Sequence, residues 1–215
     1  MRAEIVKINS ENPELSLVKY AADQIRAGEV LGMPTDTFYG LAADPFNLRA
    51  VDKVYDIKTR SRHKPLSLLI ESVDQAEELA KKLPEEFYAL ARKFWPGPLT
   101  VIVKAGSRLP LKVTANTGNV ALRVPSAKIP LAVVTAAAIP ITATSANLSG
   151  AAECTTAEQV HDQLHGRISI IVDGGTSPRD IPSTIIDLSD GETRWRIIRE
   201  GAIPKEEISR FFAQG

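Results

Sequence analysis

LSLVKYAADQIRAGEVLGMPTDTFYG, residues 15–40, reads as helix, turn, strand and polar loop in one unbroken run. Leu15 to Ala27 has the amphipathic spacing of a helix, which Gly28 closes, and Val30 to Met33 follows as a short apolar strand. Pro34 ends that strand, so the hydroxyl-rich residues after it fall in a loop at a strand end. Working outward, Asn47 to Ile57 predicts a second helix, with Asn47 as its cap and Val51, Val54 and Tyr55 on its inner face. Strands are expected at Leu66 to Ile70, Leu99 to Lys104, Val120 to Val124, Ile141 to Thr144 and Ile168 to Val172, and near 183–188 and 194–198. Helices are expected at about 74–82, 85–94, 156–164 and 204–213, and from Pro130 to Ala138. Strands and helices interleave, but the closely spaced strands after 165 argue for a mixed sheet rather than a parallel one. With no repeat and no linker-like run, residues 1–215 are expected to form one α/β domain.

Composition narrows the function classes. Lys+Arg 26 against Asp+Glu 26 leaves no net charge, so any binding of anions must be local. The single cysteine, Cys154, excludes an internal disulfide and points to a reducing compartment. It lies in a polar, Thr-rich stretch with no base near it in sequence. The start of the chain lacks a signal-peptide apolar core, and the apolar run from Ile129 to Ile141 is too short and too broken to span a membrane, so a soluble, cytoplasmic protein is expected. There is no Walker loop and no Gly-x-Gly-x-x-Gly. His161 and His165 share one predicted helix face without a third ligand, so no metal site is expected.

Local charge does stand out. Lys58, Arg60, Arg62 and Lys64 fall within seven residues that hold no acid. Clustered cations of this kind either decorate a solvated helix end or meet a phosphate-rich partner. Polar residues also gather at predicted strand ends: Thr35 to Thr37, Thr114, residues 144–150, Ser183-Thr184 and Arg199. In α/β sheets such loops converge on a ligand crevice. Arg123 lies among apolar neighbours in a strand, where a guanidinium needs an anionic partner.

These residues carry a resemblance. PTDTFYG (34–40), Lys58-x-Arg60 with Lys64-Pro65-Leu66, WPGPLT (95–100), VALRVP (120–125), TSANLSG (144–150), Asp173-Gly174-Gly175, Pro182-Ser183-Thr184 and IREG (198–201) resemble, in this order, the YrdC family of threonylcarbamoyl-adenylate synthases. The match runs from about 15 to 205. The resemblance implies a twisted mixed β-sheet with flanking helices around a large concave, electropositive cavity. It also implies a nucleotidyl transfer in which L-threonine, bicarbonate and ATP yield threonylcarbamoyl-AMP and pyrophosphate. The product would supply a tRNA threonylcarbamoyl-transferase complex acting at tRNA position 37.

By position, Thr35, Arg123 and Ser183 match residues that hold threonine, with Arg123 forking its carboxylate. Lys58, Arg60, Thr114, Ser145, Asn147 and Arg199 match the ATP-binding set, with Lys58 and Arg60 catalytic through the phosphates and Mg2+ riding on the nucleotide. Carbamate and triphosphate repel each other, so a cationic site that positions both needs no strong general base. Arg62-His63 is more basic than the family commonly is there and is expected either to add phosphate contacts or to carry solvent charge. Ending at Gly215, the chain is expected to lack the C-terminal domain of the longer subfamily. Two other readings compete: a module binding tRNA or double-stranded RNA in the same basic cavity, and a carbamoyl-adenylate former of the kind found within hydrogenase-maturation proteins. Zero net charge and 6% aromatic content weigh against the first, and a short free-standing chain against the second.

Overall fold

A computed structural model describes residues 3–190 and 195–213. The chain begins β1 (Glu4–Lys7), α1 (Leu15–Arg26), β2 (Leu31–Met33), β3 (Gly40–Ala42), α2 (Leu48–Lys58) and β4 (Ser67–Leu69). It continues α3 (Val73–Leu79), α4 (Glu85–Phe94), β5 (Leu99–Lys104), α5 (Leu111–Thr114), β6 (Asn119–Arg123) and α6 (Lys128–Ala137). It closes with β7 (Ile141–Thr142), β8 (Thr144–Ser145), α7 (Ala157–Leu164), β9 (Ile170–Asp173), β10 (Thr184–Asp187), β11 (Arg196–Arg199) and α8 (Lys205–Ala213). Local chemistry sets several boundaries. Gly28, at φ +90°, lets the chain turn directly after α1. The Asn47 side chain caps α2 by accepting from the backbone N–H of Arg49 and Ala50.

The fold is mixed α/β, but the strands form two sheets where one was expected. Five strands pair in the order β1-β9-β2-β3-β8, and six in the order β11-β10-β5-β6-β4-β7. Sequence spacing missed three strands. β1 is paired in parallel to β9, more than 160 residues away in sequence; β3 lies where a loop was expected, and β8 separates from β7. The expected start of the last strand at 194 lies outside the described residues, and β11 is described from Arg196.

The chain crosses between the sheets at Ala143. Its N–H bonds to Ser67 O of β4 in the six-stranded sheet (2.9 Å), while the next residue, Thr144, pairs with Leu41 of β3 in the other. Thr142, just before Ala143, already reaches across, its N–H bonding to Ala43 O at 2.9 Å, so residues 142–144 carry the chain from sheet to sheet.

Helices cover both faces of the five-stranded sheet. Val18, Ala22 and Ile25 of α1 and Val133, Val134 and Ala137 of α6 pack with Val6, Leu31, Ile170 and Val172. Ile171, pointing the other way, packs with Val160 and Leu164 of α7. The six-stranded sheet differs, because its two faces have different jobs. Val101, Val103, Leu122 and Ile186 pack against Leu79, Phe87, Leu90 and Ile208 from α3, α4 and α8. The alternate residues, Thr100, Ile102, Ala121, Arg123 and Ile185, line a cavity. Strand alternation thus builds a core on one side and a floor on the other.

Candidate active site

The cavity measures about 380 Å³, within the range of small-molecule sites. Its floor follows the strand register: small Ser67 lies beside small Ala121, and Ala121 beside the larger Ile102. The loop Thr35–Gly40 and Ser145 form one wall; Arg60, Lys64 and Pro65 form another; Pro182, Ser183 and Arg199 close a third. Six of the nine residues expected at the site line this one cavity: Thr35, Arg60, Arg123, Ser145, Ser183 and Arg199. The remaining three, Lys58, Thr114 and Asn147, are buried around it.

Arg123 needed an anion, and the fold supplies one. Its Nη2 forms an ion pair with Asp36 Oδ1, the two side chains being 8% and 2% exposed. Nε donates to Gly97 O (3.0 Å) and Nη1 to Thr37 Oγ1 (3.2 Å). Two of the five N–H groups are thus spent in hydrogen bonds, through Nε and Nη1, while Nη2 faces the Asp36 carboxylate without a hydrogen bond of its own. Asp36 is itself held, accepting from Ser126 Oγ at 3.0 Å. Sequence reasoning passed over Asp36 although it lies in the hydroxyl-rich loop after β2. A buried strand arginine was the available signal that an acid would be close.

Lys58 is the second surprise. It is the last residue of α2 and only 2% exposed. Its Nζ donates to Asn147 O (2.8 Å), to Asn147 Oδ1 (2.9 Å) and to the Ser145 carbonyl. An ammonium has three N–H groups, so this set uses all of them. Burial, with the nearby Arg60 charge, pushes Lys58 down to about 8. The Asn147 amide donates on to Leu148 O and Ala151 O (3.1 and 2.7 Å). Lys58 and Asn147 thus pin the 145–151 loop from beneath rather than line the cavity. Thr114 also stays behind the wall, donating to Leu111 O within its own short helix (3.2 Å).

The cations facing the cavity have weaker partners. Arg60 reaches only backbone, with Nη2 to Pro65 O at 3.1 Å. Arg199 donates through Nε and Nη2 to Ser183 O (3.1 and 2.9 Å) and to Ser183 Oγ (3.1 Å). Ser183 Oγ in turn shares a hydrogen bond with Thr100 Oγ1 (2.9 Å). Gly201 makes this corner possible, since a Cβ there would collide with the Pro182 carbonyl and the Ser183 backbone. Guanidiniums satisfied only by neutral oxygens retain their full charge for an anion.

Arg62 does not join them. Its guanidinium pairs with Asp52 and, at 2.8 Å, with Asp56, both on the outer side of α2, and lies over the Tyr55 ring. Asp52 also takes Lys112 at 2.6 Å. The acids missing from the cation cluster in sequence sit 6 and 10 residues before Arg62, on α2. Arg62→Ala is accordingly expected to lower stability by less than about 1 kcal/mol, because an exposed pair contributes little. A markedly larger loss in urea denaturation would show that the pair holds the fold. Cys154 is fully buried, and burial pushes its thiol up to about 11, which leaves little thiolate. His161 and His165 stack at 5.7 Å, and among the described residues no three His, Cys, Asp or Glu side chains converge as a metal cage. No helix of the described residues is long and apolar enough to cross a membrane.

A mixed α/β framework thus gathers hydroxyls and three guanidiniums around one cleft, and of these Arg60 and Arg199 bond to no carboxylate. Comparison with known proteins makes this specific. The Sua5/yciO/yrdC family model, described as telomere recombination, matches residues 23–201, and the chain belongs to this family. It is 38% identical to the threonylcarbamoyl-AMP synthases of Pyrococcus abyssi and Bacillus subtilis, over 92% and 94% of its own length. It spans 57% of the length of each of these relatives. The crystal structure of P. abyssi Sua5 complexed with L-threonine superposes with a TM-score of 0.93 at 36% identity, over 97% of this chain and 61% of that one.

Proposed function

We propose that this chain is a threonylcarbamoyl-AMP synthase that uses L-threonine, bicarbonate and MgATP. One observation carries the reading: the residues matching a threonine set (Thr35, Arg123, Ser183) and those matching a nucleotide set (Arg60, Ser145, Arg199) share a single cavity. The P. abyssi relative's complex with L-threonine supports it. The threonine amine, its ammonium form having given a proton to solvent, bonds to the carbon of bicarbonate with loss of water to give a carbamate. A carbamate oxygen then bonds to the α-phosphorus as the bond to pyrophosphate breaks, and pyrophosphate leaves with the electron pair.

Both partners are anions, and bringing them together is the main difficulty. Arg60, Lys64 and Arg199 neutralise the triphosphate, while Arg123 takes the threonine carboxylate with the N–H groups that Asp36, Gly97 and Thr37 leave over. Ser145 donates to the nucleotide from a loop that Lys58 and Asn147 hold in place. Thr114 supports the same side through Val113 O, which accepts from Leu66 N–H (2.9 Å) ahead of β4. Positioning and charge neutralisation supply the rate, and no cavity residue has to act as a strong base. The two sheets work as one domain in this reading. The product passes in the cytoplasm to a tRNA-modifying transferase. The RNA-binding alternative, which rests on the same cavity, gains nothing from the neighbouring surface, where Arg62 and Lys112 are paired with Asp52 and Asp56.

Pyrophosphate release in the presence of MgATP should require both threonine and bicarbonate, and release indifferent to threonine would remove the proposal. Arg60→Ala should lower that rate at least about tenfold, or roughly 1.4 kcal/mol in the transition state.

A further inference from the structure

Glu153 is the one acid among the residues lining the cavity, where Arg60, Lys64, Arg123 and Arg199 are the cations. Its backbone is fixed next to the hydroxyl-rich loop, because Cys154 is buried and its carbonyl accepts from Tyr39 N–H at 2.8 Å. Its half-buried carboxylate acts electrostatically on Lys58 and Arg199. Yet among the described residues it forms no hydrogen bond and no ion pair. A carboxylate in this position repels a triphosphate, which makes it a poor choice for an anion site. The repulsion disappears if the anion arrives with a cation of its own.

Mg2+ fits that description. It is commonly held by substrate phosphates, waters and only one or two carboxylates. The absence of any three-ligand cage among the described residues fits an ion delivered by the nucleotide. Resting on the functional reading above, we infer that Glu153 receives the Mg2+ of MgATP, through the metal itself or one of its waters. Glu153 thereby selects the metal-bound nucleotide over free ATP.

Calorimetric titration of wild-type and Glu153→Gln protein with MgATP, and with ATP plus a chelator, tests this directly. Wild type should bind MgATP at least about tenfold more tightly than metal-free ATP. In Glu153→Gln the two affinities should converge, MgATP weakening while metal-free ATP tightens, because one repulsive charge is gone. This crossed pattern is not produced by simple damage to the fold. Equal loss for both forms, or no change in either, overturns the role. So does an unchanged nucleotide pattern with weakened threonine binding, which would assign Glu153 to the substrate ammonium. A wild-type protein that binds neither form of ATP would instead sink the functional reading.

Discussion

Arg123→Ala should abolish threonine-dependent pyrophosphate release and also lower the stability of the protein by about 3 kcal/mol or more. The second effect follows from Asp36, which is 2% exposed and would be left as a buried carboxylate without its cation. Removing one member of a buried pair is far more damaging than replacing both. Arg123→Leu combined with Asp36→Asn should therefore recover much of the stability and none of the activity. Arg123→Lys separates the roles differently. It keeps a charge near Asp36 but cannot reach Gly97 O and Thr37 Oγ1 from a planar fork. Threonine KM should rise at least about tenfold while ATP affinity changes little. Urea denaturation and steady-state kinetics on the four proteins read all of this. An Arg123→Ala protein with wild-type stability would mean that Asp36 has another cation.

Lys58→Met should be the other severe change. It leaves Ser145 O, Asn147 O and Asn147 Oδ1 without their shared donor in a buried site. Unsatisfied buried acceptors of this kind cost about 1–3 kcal/mol each, so a loss of about 3 kcal/mol is expected. The loop carrying Ser145 should loosen with it, and nucleotide affinity should fall at least about tenfold. Proton loss from Lys58 at about pH 8 imitates part of this in the wild type, because the neutral amine keeps two N–H groups and no charge. ATP affinity should therefore decline as pH rises through about 8, and Lys58→Met should show no such step. The sign for stability is opposite. A lysine pKa lowered from 10.5 to about 8 means that the unfolded chain binds more protons between those values. The burden of the buried charge is fully present below pH 8 and is relieved as pH rises toward 10.5. Binding that stays flat from pH 7 to 9.5 would refute a titrating Lys58.

Much of this could be read from the chain, and the failures have a common cause. Asn47 capping α2, Gly28 ending α1 and the strand at residues 99–104 are local, and each was legible. So was the gathering of strand-end hydroxyls and arginines, because alternation puts Thr100 and Arg123 on the face opposite Val101 and Leu122. What escaped were partnerships across distance. β1 carries no strong periodicity and becomes a strand only by pairing with β9. The crossing between the two sheets has Ala143 and its neighbour bonding to different strands, a choice no residue type announces. The basic cluster looked unopposed because its acids, Asp52 and Asp56, are close on the helix surface and outside the seven-residue window.

The crossover between the sheets is braced on both sides. Before it, Thr142 ties β7 to the other sheet, its N–H bonding to Ala43 O and its hydroxyl to Leu41 O, each at 2.9 Å. Beyond it, Ser145 and Asn147 converge on the Lys58 ammonium, so one buried side chain anchors the stretch that carries the cavity wall.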